Sequence, residues 1–265
     1  MRNEHPLKGK VAFVTGGSNG IGAATVRQLA EAGARVAIGY HSGRDRAERL
    51  LGELPGNDHS AIALSLMDAD GIRLAASTIA ATYGRLDVLV NSAGFTTPIA
   101  HHDLDTLDDD LFGNILLANA RGPYTVIRSM LPLLKASGDA VVVSVSSISA
   151  FTGLGSNIAY CASKAALDTM TMSLARALGP GIRFLCVSPG AVATDFVAGR
   201  DRAALERAAT STPLQRVVEP EDVADAVMAC ITHLKASTGV RIIAVGMPPS
   251  TRLVAHRSAA YLLQK

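Results

Sequence analysis

Tryptophan is absent from the sequence, and five Tyr and six Phe make aromatics only 4% of its 265 residues. So few rings leave little on which to stack bases, which argues against a single-stranded nucleic-acid binder. Charge is scarce as well: 18% of residues are ionisable Asp, Glu, Lys or Arg, and 25 basic against 23 acidic side chains leave a net +2. Without a basic stripe or cluster there is no electrostatic footprint for a duplex and no polybasic patch for a membrane. Cys161, Cys186 and Cys230 are odd in number, widely spaced and without a CxxC pair, so they frame neither a disulfide scaffold nor a zinc site. They read as buried thiols of a reducing cytosol. No run of about 18 apolar residues and no apolar leader before the first glycines is present. These absences lead us to expect a cytoplasmic protein whose partners are small molecules or copies of itself, with no nucleic acid, membrane or metal among them.

What the chain has in plenty is apolar surface, 48% hydrophobic residues with a mean hydropathy of +0.26. Short runs rich in β-branched residues alternate with amphipathic stretches from about residue 8 to 245. We read strands at Lys10–Thr15, Arg35–Tyr40, Ala61–Leu66, Val88–Asn91, Ala140–Ser146, Ile182–Val187 and Arg241–Val245. Between them, Ile21–Ala32, Arg44–Leu54, Ile72–Tyr83, Leu111–Ala136, Asn157–Leu178 and Glu219–Leu234 read as helices. Strands apolar on both sides belong inside a parallel sheet. The pattern predicts an α/β protein, a three-layer doubly wound sheet of about seven parallel strands with helices on both faces. No repeat or linker divides it, so residues 1–265 read as one unit. The charged stretch 193–218 reads as a helical excursion, a mobile lid over a site.

The first strand runs straight into Gly16-Gly-Ser-Asn-Gly-Ile-Gly22 and then a helix, the context in which a glycine-rich turn binds a dinucleotide. Gly16 permits the turn, Gly20 lets backbone approach a pyrophosphate, and Gly22 lets the helix pack close to the sheet. Ser18, Asn19 and Ile21 complete this loop, whose helix N-terminus suits an anion. In such Rossmann-type folds an acidic residue ending the second strand bonds the ribose 2′-hydroxyl, whereas basic residues admit a 2′-phosphate. Here the stretch is Tyr40, His41, Ser42, Gly43, Arg44, with Arg46 beyond. With no carboxylate in the acid position, NADP(H) is expected over NAD(H), although Arg44 and Arg46 also suit simple solvation of the next helix.

A second constellation is Tyr160-Cys-Ala-Ser-Lys164, whose i,i+4 spacing sets a phenol and an ammonium on one helix face. A neighbouring cation lowers a phenol's pKa from about 10, so Tyr160 could serve as a general acid/base. The same spacing also describes a solvated pair on an ordinary helix.

Taken together, the motifs resemble the short-chain dehydrogenase/reductase family, and in particular its oxoacyl and carbonyl reductases. They are Thr15 to Gly22, Asn91-Ser-Ala-Gly94, Asn119, Ser146-Ser147, Tyr160-x-x-x-Lys164 thirteen residues beyond Ser147, and Pro189-Gly-Ala-Val-Ala-Thr194. The resemblance implies a catalytic set of Asn119, Ser147, Tyr160 and Lys164. Ser147 would polarise a carbonyl oxygen and Tyr160 exchange its proton. Lys164 would hold the nicotinamide ribose and lower the Tyr160 pKa, and Asn119 would position a water for proton resupply. It also implies that Asn91, Ala93 and Gly94 support the adenosine side, and that Pro189, Gly190, Val192 and Thr194 pack around the nicotinamide. Ser65 and Leu66 stand where many relatives place an aspartate against adenine, and Ser92 where a second asparagine is frequent. Val245-Gly-Met-Pro-Pro249 replaces the family's acidic residue and paired glycines, and the tail 250–265 receives no role.

The activity implied is hydride transfer between NADP(H) and a ketone or secondary alcohol, the cofactor supplying the hydride. An NAD-dependent secondary alcohol dehydrogenase and a catalytically silent nucleotide sensor are the alternatives. A homotetramer or homodimer built through the helices of Asn119 and Tyr160 is implied too. His101-His102-Asp103 reads as a rim loop and not a metal cluster, and Asp108-Asp109-Asp110 as a helix cap or a solvated surface.

Overall fold

A computed structural model describes residues 5–210 and 212–244. Among them, β1 (Val11–Thr15), β2 (Arg35–Tyr40), β3 (Ser60–Ala63), β4 (Val88–Asn91), β5 (Ala140–Val145), β6 (Ile182–Pro189) and β7 (Val240–Ala244) form one sheet. Every pairing is parallel and the order is β3-β2-β1-β4-β5-β6-β7. The chain crosses over between β1 and β4, so the carboxyl ends of these strands open onto the crevice where ligands of such sheets bind.

The two faces follow from the period-2 alternation of the strands. Ala12, Val14, Val141, Val143 and Val145 pack toward α1 (Gly20–Glu31), α2 (Arg44–Glu53) and α9 (Pro220–Thr232). Val11, Phe13, Ala140 and Val142 face the opposite core, with α3 (Ala69–Tyr83), α5 (Gly122–Ser137) and the end of α7 (Ile158–Leu178). Phe13 and Phe184 are among the largest side chains wholly withdrawn from water, each worth roughly 1.5–3 kcal/mol of burial. This doubly wound α/β architecture is the one anticipated.

Local differences from the expected elements have visible causes. β3 stops at Ala63 because the next residues turn: Met67 N–H donates to Ser65 Oγ at 3.3 Å, and Asp68 then caps α3. Leu64 and Leu66 are buried from that turn, not from a strand. The expected helix Leu111–Ala136 is three pieces, α4 (Asp109–Leu116), a π-helical segment Leu117–Arg121, and α5. Gly122-Pro123 opens α5, and proline supplies no N–H for a continuing α ladder. Asp108 caps α4 by accepting from Leu111 N–H at 2.8 Å, as its position suggested.

Two short helices were not individually anticipated, α6 (Ser149–Thr152) and α8 (Arg202–Ala209). α8 lies within the excursion 193–218, whose base is closed where Ala193 N–H donates to Val218 O at 2.9 Å, beside the bridge between Val192 and Val218. Among the described residues no helix is long and apolar enough to cross a membrane, and all three cysteines are free and buried. Val245, the end of the seventh expected strand, and the 246–265 tail lie outside the described residues.

Candidate active site

At the carboxyl edge of the sheet lies a cleft of about 680 Å³. One half is shaped by backbone. β1 ends at Thr15, whose hydroxyl accepts from Ser92 and Ala93 N–H at 3.2 Å each, joining the first and fourth strand ends. Gly16 then turns with φ +66°, and a Cβ there would lie 2.9 Å from Ala93 Cα. A Cβ on Gly22 would stand 2.2 Å from Gly16 O, so only hydrogen fits where α1 meets the loop. Asn19 caps α1 by accepting from Gly20 N–H at 2.9 Å. Ser18, Asn19, Gly20 and Ile21 therefore present the positive end of a twelve-residue helix to the cleft. This cradle fits the pyrophosphate of a dinucleotide.

The other half is shaped by side chains from three elements. Asn157, fully buried, caps α7 by accepting from Tyr160 N–H at 2.7 Å, while its amide donates to Thr97 O at 2.8 Å. The start of α7 is thus tied to the loop after β4, and Tyr160 and Lys164 both project into the cleft. Lys164 is 5% exposed; its Nζ donates to Val145 O at 2.8 Å and lies 5.6 Å from the centre of the Tyr160 ring. Ser147 follows β5, its hydroxyl donating to Ser149 Oγ and accepting from Ser149 N–H, both at 3.1 Å.

Burial dominates the electrostatics here. It pushes the Tyr160 phenol up to about 12, with the Ser147 hydroxyl working in the opposite direction. It draws the Lys164 ammonium down to about 8, opposed by Cys186 and Asp168. The expected lowering of Tyr160 by Lys164 is therefore reversed in this structure. The cause is desolvation: low-dielectric surroundings penalise phenolate and ammonium alike.

Asn119 stands one layer behind the cleft, in the π-helical segment and 1% exposed. Its Oδ1 accepts from Phe95 N–H at 3.0 Å, and its amide donates to Phe95 O at 2.9 Å and Ser163 Oγ at 3.3 Å. The wider turn thereby locks the loop after β4 onto α7. Gly94 is held close: a Cβ on it would meet Asn119 Oδ1 at 2.7 Å.

Of the other residues expected at a cofactor, Ala93, Gly94, His41, Ser42, Pro189, Gly190, Val192 and Thr194 line the cleft. Asn91 instead lies beneath it, donating to Ser144 Oγ at 3.4 Å with its Oδ1 unpartnered. Tyr40, Arg44, Ser65 and Leu66 do not line the cleft. Arg44 pairs with Glu48 Oε1 at 2.7 Å along α2, and Arg46, two residues on, takes the place beside Ser18 and Gly43. Ser65 and Leu66 belong to the turn after β3, where Leu66 packs against Gly122. His101 donates from Nε2 to Gly155 O at 3.2 Å, a rim contact. Residues lining or bracing the cleft that the sequence did not single out are Asn157, Phe196 and Arg200, while Arg46 is named there beside Arg44. Asn157 had a readable signal, an asparagine preceding a helix by one position.

The family model described as enoyl-(acyl carrier protein) reductase matches residues 16–245. A Burkholderia xenovorans protein solved under the name of a short-chain dehydrogenase/reductase superposes with a TM-score of 0.83 at 36% identity, covering 89% of this chain and 96% of that one. The chain belongs to the short-chain dehydrogenase/reductase family. Among relatives in that family, a Streptomyces violaceoruber protein bearing the name of a granaticin polyketide synthase ketoacyl reductase is 37% identical over 83% of this chain and 89% of its own. The 3alpha-hydroxysteroid dehydrogenase of Mediterraneibacter gnavus is 32% identical over 90% of this chain and 96% of its own. This short-chain dehydrogenase/reductase is accordingly an NAD(P)-dependent oxidoreductase acting on ketone and alcohol groups, with oxoacyl and carbonyl reductases among its relatives.

Proposed function

We propose that the protein interconverts a ketone and a secondary alcohol with NADP(H), using Tyr160 as general acid/base. The observation that carries this reading is the convergence of Ser147, Tyr160 and Lys164 on the same cleft as the glycine cradle. When bound, the nicotinamide supplies or accepts the hydride. Ser147 offers its hydroxyl to the substrate oxygen. A phenol held near 12 is protonated at neutral pH, the form needed to give its proton to a developing alkoxide. Lys164 orients the ribose and helps discharge the phenolate, while Asn119, which ties Phe95 to Ser163 on α7, positions the water through which protons are resupplied. The excursion 193–218 serves as the substrate lid.

The preference for NADP(H) is assigned to Arg46. From the stretch after β2, His41, Ser42, Gly43 and Arg46 line the cleft, and none of them is a carboxylate to repel a 2′-phosphate. Arg46→Ala should weaken NADPH at least tenfold, about 1.4 kcal/mol, and change NADH less than twofold in calorimetric titrations. Equal losses on both cofactors reject the assignment. Turnover itself is tested by NADPH consumption over a panel of ketones, where binding without consumption favours a nucleotide sensor.

The reading includes a cytoplasmic protein that self-associates as a homotetramer or homodimer. Leu117, Tyr124, Ile158 and Met172 leave apolar surface exposed on the π-helical segment, α5 and α7, where such a contact would form. Sedimentation measures the assembly, and a monomer at micromolar concentration rejects it.

A further inference from the structure

The reacting end of the cleft holds a cation that the chemistry above does not use. Arg200 lines the wall with Ile148, Leu154, Phe196 and Val197, and Phe196 lies against the Tyr160 ring with centroids 5.9 Å apart. Among the described residues, Arg200 has neither an ion pair nor a side-chain hydrogen bond. Two other arginines of the excursion are neutralised, Arg202 by Glu206 at 3.1 Å and Glu219 at 2.7 Å and Arg216 by Asp222 at 2.6 Å. Arg200 also acts electrostatically on Tyr160, favouring the ionised phenol, which sets it at the reacting end. The phosphates of a dinucleotide have their own positive partners at the other end, in the α1 N-terminus and Arg46.

We infer that Arg200 is a specificity-determining residue that pairs with a carboxylate on the substrate, selecting keto acids and hydroxy acids with an apolar body over neutral ketones. A guanidinium matches a carboxylate with two parallel N–H···O bonds. Asp195 also lines the cleft but is not ion-paired with Arg200, so the guanidinium stays available to a ligand. Ile148, Leu154 and Val197 supply the apolar surface for the rest of the molecule. The word substrate rests on the oxidoreductase reading, whereas the ion pair is a binding event independent of turnover.

The test uses 4-oxo and 5-oxo acids of five to ten carbons and their methyl esters, with NADPH. The wild type should favour acid over ester at least tenfold in kcat/KM, mainly through KM. Arg200→Leu should lose at least tenfold on the acids, change the esters less than twofold, and leave the KM for NADPH unchanged; Arg200→Lys should retain part of the preference. Since Arg200 is exposed, its removal leaves the core intact. Calorimetric titration of the acids into NADP⁺-loaded protein reads the pairing without chemistry. Acids that bind only when Arg200 is present, yet never consume NADPH, uphold the ion pair and overturn the proposed NADPH-dependent reduction. No preference for acid over ester in either assay, equal losses on both, or a raised KM for NADPH overturns the inference.

Discussion

The two halves of the cleft are built from different materials. The glycine half is a backbone surface: Gly16, Gly20 and Gly22 matter for the Cβ atoms they lack, and the charge offered is that of peptide N–H groups at α1. The Tyr160 half is a side-chain surface, assembled from β5, α7 and the excursion and braced by Asn119 and Asn157 from behind. A backbone surface needs close approach, which steric bulk destroys. A side-chain surface needs particular functional groups, which conservative substitution removes without moving the chain. Perturbing each half should therefore separate binding from chemistry.

The largest separation is expected from Tyr160→Phe. The ring and its contact with Phe196 remain, but the proton is gone, so turnover should fall by roughly 10²–10⁴. NADPH affinity by calorimetry should stay within a few-fold. A variant that keeps wild-type turnover removes Tyr160 from the chemistry, and one that loses cofactor affinity to the same degree erases the distinction between the halves.

Gly22→Ala should do the converse. The new methyl would sit 2.2 Å from Gly16 O, so loop and helix must part at a cost of about 1–3 kcal/mol. Weaker NADPH binding by about tenfold or more, with kcat at saturating cofactor little changed, is the expected result. Unaltered affinity would show that the cradle tolerates a side chain and that its glycines serve only the turn.

Asn119→Ala probes what lies behind the Tyr160 half. It strips the partners from Phe95 N–H and Phe95 O, both held at or under 3.0 Å, and should destabilise the protein by about 1–3 kcal/mol. Thermal unfolding measures this, and Asn119→Ser, with a shorter polar side chain, should recover little. Unchanged stability would mean that the loop after β4 is held by other contacts.

These contrasts also explain what was legible in the sequence. The strands and the glycine cradle were readable because hydrophobic alternation and glycine spacing are local properties. Tyr160 and Lys164 share a helix face by i,i+4 geometry, but only the accompanying motifs distinguished them from a surface pair. The π-helical turn at Asn119 was not readable, since its wider period is imposed by contacts with Phe95 and Ser163 from distant segments. Arg44 does not line the cleft and pairs with Glu48 four positions on, the spacing of a helical ion pair. Arg46, two residues on, lines the cleft. The rise of Tyr160 to about 12 was invisible too, because desolvation depends on the whole fold and the Tyr–Lys spacing argued for the opposite direction.

The smallest predicted effect concerns that desolvation. Beneath Lys164, burial pushes the Cys186 thiol up to about 12, and on α9 the Cys230 thiol rises to about 11. An unfolded thiol ionises near 8.5 and an unfolded tyrosine near 10. Between those values and the folded ones, the unfolded chain has lost protons that the folded chain keeps, so stability falls as pH rises. Lys164 acts oppositely: its folded pKa near 8 lies below the unfolded value near 10.4, which adds stability as pH climbs through that interval. These two thiols, with Cys161 raised by burial in the same direction, outweigh one amine and leave a net decline from about pH 9, joined by Tyr160 above pH 10, at most about 1.4 kcal/mol per pH unit per uncompensated group. Cys186→Ala removes one of the declining contributions, so its unfolding midpoint should decrease less steeply between pH 9 and 11 than the wild type's. Parallel profiles would show that Cys186 ionises alike in both states, and with it the claim that the Tyr160 half of the cleft is the desolvated one would lose its support.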